Sequence, residues 1–235
     1  RCGPEGSTPG GVRLSEAGAA RHLGRPTVLI DVSAGPAAAA GGIAAACERL
    51  GCDAVLLADV GGDVLAVGDE PGLASPLCDA VMIAAARHLP DELEVRGAIF
   101  GAGCDGELTH GEVLARVGQL ARSGIWTGTL SPDRVVAEEL AGIGEQVPTE
   151  ASLMAARCAL GEVGTATIRG GRRTVELDPV GALIFLFDAR AAIGEAAPLA
   201  ALVAGCDSIE KARDALAAAG IRTELDWERD RAARG

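Results

Sequence analysis

The chain has 235 residues, 49% of them hydrophobic but only 2% aromatic, and a formal net charge of −12. Such a charge repels nucleic-acid backbones and anionic lipid, and nowhere do Arg and aromatics interleave, so neither nucleic acid nor a membrane is expected as a partner. No apolar run approaches a membrane span and no Arg/Lys-led signal peptide is found, which points to the cytoplasm.

The core must come from Ala, Val, Leu and Ile, since Tyr is absent. That composition suits helices packed closely on a parallel sheet. The seven cysteines are odd in number and scattered without a Cys-x-x-Cys, as expected of reduced thiols. His22, His88 and His110 are not paired at zinc-ligand spacing.

In chain order, residues 1–12 are rich in Gly and Pro and read as a loop. A short helix is expected over Ser15–Leu23. Thr27–Val32 reads as a buried, β-branched strand ending near Asp31. An Ala-rich helix over 37–50 ends before Gly51. Asp53–Ala58 is the next strand, and it runs into Asp59-Val60-Gly61-Gly62-Asp63. Ser75 with Pro76 marks a helix start, that helix runs to about Leu89, and Pro90 stops it. Val95–Phe100 is the third strand. A Gly-rich loop over 101–107 follows, then Thr109-x-x-Glu112, a capping box that opens an amphipathic helix.

Three strand–loop–helix units in succession predict a mainly parallel sheet in a three-layer, Rossmann-like α/β fold. All three loops then lie beyond the carboxyl ends of the strands, which gathers Asp31, Asp59, Asp63 and Asp105. Past Trp126 the pattern changes. Helices over Ser131–Gln146 and Thr149–Glu162, separated by Pro148, precede a β-hairpin that turns at Arg169-Gly170-Gly171. A short strand over Ala182–Phe187 ends at Asp188, and an amphipathic helix covers Asp207–Gly220. The charged tail is expected to fray after Trp227. The reading is one domain, with βα units over 13–126 and a helical and hairpin elaboration over 127–235.

Acids recurring at strand ends beside glycines point to a ligand site. Asp59, Asp63 and Asp105 suit a divalent metal, Mg²⁺ or Mn²⁺, or a substrate amine. The backbones of Gly61, Gly62, Gly101, Gly103 and Gly106 suit a phosphate or sugar. Glu70 or Glu107 suits a general base. Asp31, Ser75, Asp79 and Cys104 complete the expected ligand-binding set. Residues 101–106 also spell G-x-G-x-x-G, the dinucleotide fingerprint, but Asp105 puts a negative charge where a pyrophosphate would sit. A Cys104 nucleophile beside His110 competes with a plain tight turn. Arg169, Arg172 and Arg173 suit an anion clamp or an exposed polar turn equally well.

Four strings carry a resemblance. They are Asp59 to Ala66, Gly68-x-Glu70-x-x-Leu73-x-Ser75-Pro76-Leu77, Gly101-x-Gly103-x-Asp105-Gly106-Glu107-Leu108, and Gly220-Ile221-Arg222-Thr223-Glu224-Leu225. From about residue 25 to 229 the chain resembles the family called domain of unknown function 1152. The resemblance implies a Rossmann-like α/β domain and carries over no activity. It also implies a Gly-rich segment after a first strand. None is found here, so a missing front is expected.

The function expected is a hydrolase or group transferase acting on a small nucleotide-like, phosphorylated or amine-bearing substrate. A non-catalytic binding or scaffold protein is the second reading, and a nicotinamide-dependent oxidoreductase the third. Homo-oligomerisation is left open.

Overall fold

A computed structural model describes residues 1–8, 10–147 and 149–234. Pro148, expected to separate two helices, lies outside the described residues. The first helices are α1 (Ser15–Leu23) and α2 (Gly35–Leu50), each closed by a glycine in the left-handed region, Gly24 and Gly51. Strand β1 (Ala54–Val60) leads through a 3-10 turn at Asp63–Leu65 to α3 (Pro76–Ala85). Strand β2 (Glu94–Phe100) leads to α4 (His110–Arg122), whose capping box forms as expected. Then come β3 (Trp126–Leu130), α5 (Arg134–Gln146), α6 (Glu150–Ala159) and the hairpin β4 (Gly164–Ile168)–β5 (Arg173–Leu177). Strand β6 (Ile184–Asp188) is followed by α7 (Ala189–Ala192), α8 (Pro198–Val203), α9 (Ile209–Ala218) and α10 (Glu224–Arg234).

The fold is mixed α/β. Four strands form one sheet in the order β1-β2-β6-β3, and β4 and β5 form a separate two-stranded sheet. Only β1 and β2 pair in parallel; β6 runs antiparallel between β2 and β3. The mainly parallel sheet expected from the βα pattern is therefore replaced by a mixed one. The last strand of the chain inserts between two that precede it, which local pattern does not reveal.

The expected first strand is also corrected. Thr27 exchanges backbone hydrogen bonds with Cys2, at 2.8 and 3.0 Å, and residues 28–32 join no ladder. Ile30 and Val32 still rest on the core, with exposed Asp31 between them, while the adjacent Val28 and Leu29 are both exposed, so a strand's alternation survives only over 30–32.

The main core joins Ile99 and Phe187 of the sheet to Leu77, Val81 and Ile83 of α3, Val113 and Leu120 of α4, and Val203 and Leu216 of the C-terminal helices. A second core under the hairpin gathers Phe100, Cys104, Met154, Cys158, Ile168 and Val175. The β1–β2 pair and its two following loops sit between these cores, and that is where the acids lie. Among the described residues no helix is long and apolar enough to cross a membrane.

Candidate functional site

Asp59 is one residue from the end of β1. Its Oδ2 accepts from the backbone N–H of Gly62 at 2.8 Å and of Val64 at 3.4 Å, so the carboxylate pulls the chain into the turn behind it. Gly61 and Gly62 both have positive φ, 138° and 114°. Gly61 passes tightly under the Asp105 side chain. A Cβ built there would lie 2.6 and 2.7 Å from the two carboxylate oxygens. Gly61 also binds the neighbouring loop, its carbonyl accepting from Gly103 N–H at 2.7 Å. The two acid–glycine loops at the ends of β1 and β2 are thus joined backbone to backbone.

Asp63, 5% exposed, starts the 3-10 turn and is the hub of the acids. It shares one cluster with Asp59 and Asp79 and a second with Asp105 and Glu107. In each cluster the three carboxylates offer oxygens within 4.8 Å of one another. Asp79 comes from the first turn of α3. Asp105 accepts from Glu107 N–H at 3.1 Å. Glu107 accepts from Ala74 N–H at 2.7 Å, Ser75 N–H at 2.9 Å and the Ser75 hydroxyl at 2.6 Å.

Burial dominates the electrostatics. It pushes Asp59 up to about 6 and Asp105 up to about 7, against the Gly62, Val64 and Glu107 N–H groups that favour the charged forms. Asp63 and Asp79 are raised well above the ordinary carboxylate range, first by burial and then by the neighbouring acids. Among the described residues no Arg or Lys pairs with Asp59, Asp63, Asp79 or Asp105; Arg169, 3.7 Å from Glu107, is the nearest counter-charge at this end.

Three openings reach the group. A cleft of about 460 Å³ is lined by Gly103, Gly106, Glu107 and His110 together with strand β5. A second, of about 370 Å³, has Ser75 and Glu107 on one side and the hairpin arginines on the other. A small pocket of about 90 Å³ is lined by Asp59, Val64 and Asp79.

Of the residues expected at the site, Asp59, Gly61, Gly62, Asp63, Ser75, Asp79, Gly103, Asp105, Gly106 and Glu107 are brought together; four are not. Asp31 is exposed on the unpaired segment, where it accepts from Ser33 N–H at 2.8 Å. Glu70 is buried but fully engaged: burial alone would raise it, yet Val67 N–H, Gly68 N–H and Arg116 outweigh burial and hold it below its ordinary value. It closes its own loop and is no free base. Gly101 packs against Ala155. Cys104 is buried in the second core beside Cys158; the hydrogen bond they share and burial keep its thiol protonated, while Cys158 is lowered to about 7 by that same bond. A Cys104 nucleophile is thereby set aside.

Ser75 occupies the helix-cap position, but its hydroxyl serves Glu107 rather than α3. The capping is done by Glu224 of α10, which accepts from Leu77 N–H at 3.1 Å and Cys78 N–H at 2.8 Å. Sequence spacing missed this role, since 147 positions separate Glu224 from Leu77. It also missed that His110, read there only as a neighbour of Cys104, joins Glu176 and Asp178 in a third cluster, its Nδ1 donating to Asp178 at 3.1 Å.

Fold and site together define a mixed α/β protein with a buried carboxylate centre where two strand-end loops meet. The chain belongs to the family described as Protein of unknown function (DUF1152), whose model matches residues 7–232. No curated protein and no solved structure matches it.

Proposed function

We propose that this chain is a hydrolase or group transferase whose carboxylate centre holds Mg²⁺ or Mn²⁺ and acts on a small phosphorylated, nucleotide-like or amine-bearing substrate. One observation carries the reading. Asp59, Asp63, Asp79 and Asp105 converge with no basic side chain among them, within two clusters that share Asp63. Burying an uncompensated carboxylate costs several kcal/mol, roughly, and here four lie side by side. Hard oxygen donors at this density suit a small divalent cation. Such a cation, when bound, supplies Lewis-acid polarisation of a substrate oxygen.

The chain's own residues do the rest. Asp63, shared by both clusters, would hold the cation, with Asp59 and Asp79 on one side of it and Asp105 and Glu107 on the other. The Gly62 and Val64 N–H groups orient Asp59, and Glu107 N–H orients Asp105. Glu107 lines both large clefts and Glu70 lines neither, so Glu107 is the candidate base in place of Glu70, with the Ser75 hydroxyl donating to it. The finer reading of the fold as Rossmann-like rests on the β1–β2 parallel pair with its two acid–glycine loops. The nicotinamide reading has less support, because Asp105 fills the glycine loop and α4 begins only at His110.

The test is Mn²⁺ binding followed by electron paramagnetic resonance. Wild type is expected to take up Mn²⁺ and to lose it on Asp59→Asn or Asp63→Asn substitution. Unchanged uptake in both variants would refute the metal centre. Ligand-specific stabilisation without turnover would support the binding-protein reading instead.

A further inference from the structure

The cleft between the β4–β5 hairpin and the start of α3 joins basic side chains to the acidic centre. Its volume is about 370 Å³, enough for a sugar phosphate. Arg169, Arg172 and Arg173 line it, in a protein whose net charge is −12. The three carboxylates on its walls are already served. Glu107 takes Ala74 and Ser75, Glu224 takes the first N–H groups of α3, and Glu228 pairs with Arg231 at 3.2 Å.

The arginines are not matched in the same way, Arg169 alone having a carboxylate near it, Glu107 at 3.7 Å. Among the described residues, neither Arg172 nor Arg173 has a carboxylate within ion-pair distance. Arg173 donates to the carbonyls of Gly106 and Gly72, which ties the two glycine loops together. Arg172 spends only its Nε, on the Arg169 carbonyl at 2.9 Å, so both terminal nitrogens stay available. Among the described residues Arg169 is the one non-glycine residue with positive φ, 55°, and its N–H is held by Glu150 at 2.9 Å. A left-handed arginine is strained, and here it keeps two guanidinium groups on one tight turn. Trp227, with Arg222 stacked 3.5 Å from its ring centroid, provides an apolar wall.

We infer that this cleft binds the phosphoryl group of a small phosphorylated molecule, with Arg169 and Arg172 as its ligands. The inference rests on the proposed metal centre only for direction. Glu107 lies in both the cleft and the Asp63–Asp105 cluster, so a phosphoryl group held by the arginines would lie beside the proposed cation site. The planar guanidinium fork suits that anion better than an ammonium does.

The test is calorimetric titration of the full chain with ribose 5-phosphate, inorganic phosphate, ribose and malonate, with Mn²⁺ binding measured in parallel. Wild type is expected to bind both phosphates, to ignore ribose, and to weaken with added salt. Arg169→Ala with Arg172→Ala should weaken ribose 5-phosphate at least tenfold without weakening Mn²⁺ binding, and the retained Mn²⁺ site certifies the fold. Arg172→Gln alone is a gentler check, expected to lose threefold or more. No binding of either phosphate by wild type, equal affinity in the variants, or a preference for malonate would overturn the inference. Loss of phosphate binding in the variants without any Mn²⁺ uptake by wild type would refute the metal centre and leave the arginine cleft standing.

Discussion

Gly61 is the residue on which the acidic centre is most sensitive to a single methyl group. Its φ of 138° is one that side-chain-bearing residues rarely adopt, and the space where a Cβ would sit is filled by the Asp105 carboxylate. Alanine there meets strain in the backbone and displaces the acid above it. We expect Gly61→Ala to destabilise the fold by roughly 2–4 kcal/mol and to abolish Mn²⁺ uptake. Thermal melting and Mn²⁺ resonance measure the two effects. A variant that melts like wild type and still binds Mn²⁺ would show that the close contact is not required. At this scale the site was largely legible, since Asp59, Asp63 and Asp105 stand beside glycines after apolar runs. What the residues could not disclose is that Glu70, which closes its own loop through Val67 and Gly68, is also paired with Arg116, 46 positions away.

Elements were read well wherever local chemistry decides them. The Thr109–Glu112 box, the glycine ends of α1 and α2, and the β4–β5 hairpin all form as their residues dictate. Two segments whose state depends on a distant partner were not. Thr27–Val32 has strand composition but no ladder, while Trp126–Leu130, interrupted by Gly128, becomes a strand because β6 pairs with it. The tail was misjudged for a nearer reason. Thr223-x-x-Asp226 is a helix-start signal, and Asp226 accepts from Thr223 N–H at 3.0 Å and from its hydroxyl at 2.8 Å. The resulting α10 has no fully buried residue; half-buried Leu225 rests on the main core and polar contacts hold the rest, among them Glu224 on α3. Glu224→Ala should cost about 1 kcal/mol, the usual worth of a helix cap, and raise amide exchange at Leu77 and Cys78. Unchanged exchange at those two amides would remove Glu224 from this role.

Across the whole molecule, the charge of −12 and the buried acids make stability depend on pH and on divalent ions together. Asp59 and Asp105 have folded-state values of about 6 and about 7 against 3.8 unfolded, and Asp63 and Asp79 are shifted the same way. Between roughly pH 4 and pH 7 the folded chain therefore holds more protons than the unfolded one, and stability falls as pH rises. The contribution is complete below about pH 4 and is lost as pH passes through the folded values. Glu70 and Asp226, held below their ordinary values, act oppositely and lose their contribution as pH falls. Metal-free protein in a chelator should then be most stable near pH 5 and lose on the order of several kcal/mol by about pH 7.5. Mg²⁺ or Mn²⁺ should reverse that loss at neutral pH, because a bound cation favours the ionised carboxylates and releases their protons. Asp63→Asn separates the two effects. It removes the hub's buried charge, so it should melt higher than wild type in chelator at pH 7.5 and gain nothing from Mn²⁺. Wild-type protein whose melting point rises with pH in chelator, and does not respond to either cation, would contradict both the buried-acid electrostatics and the centre built on them.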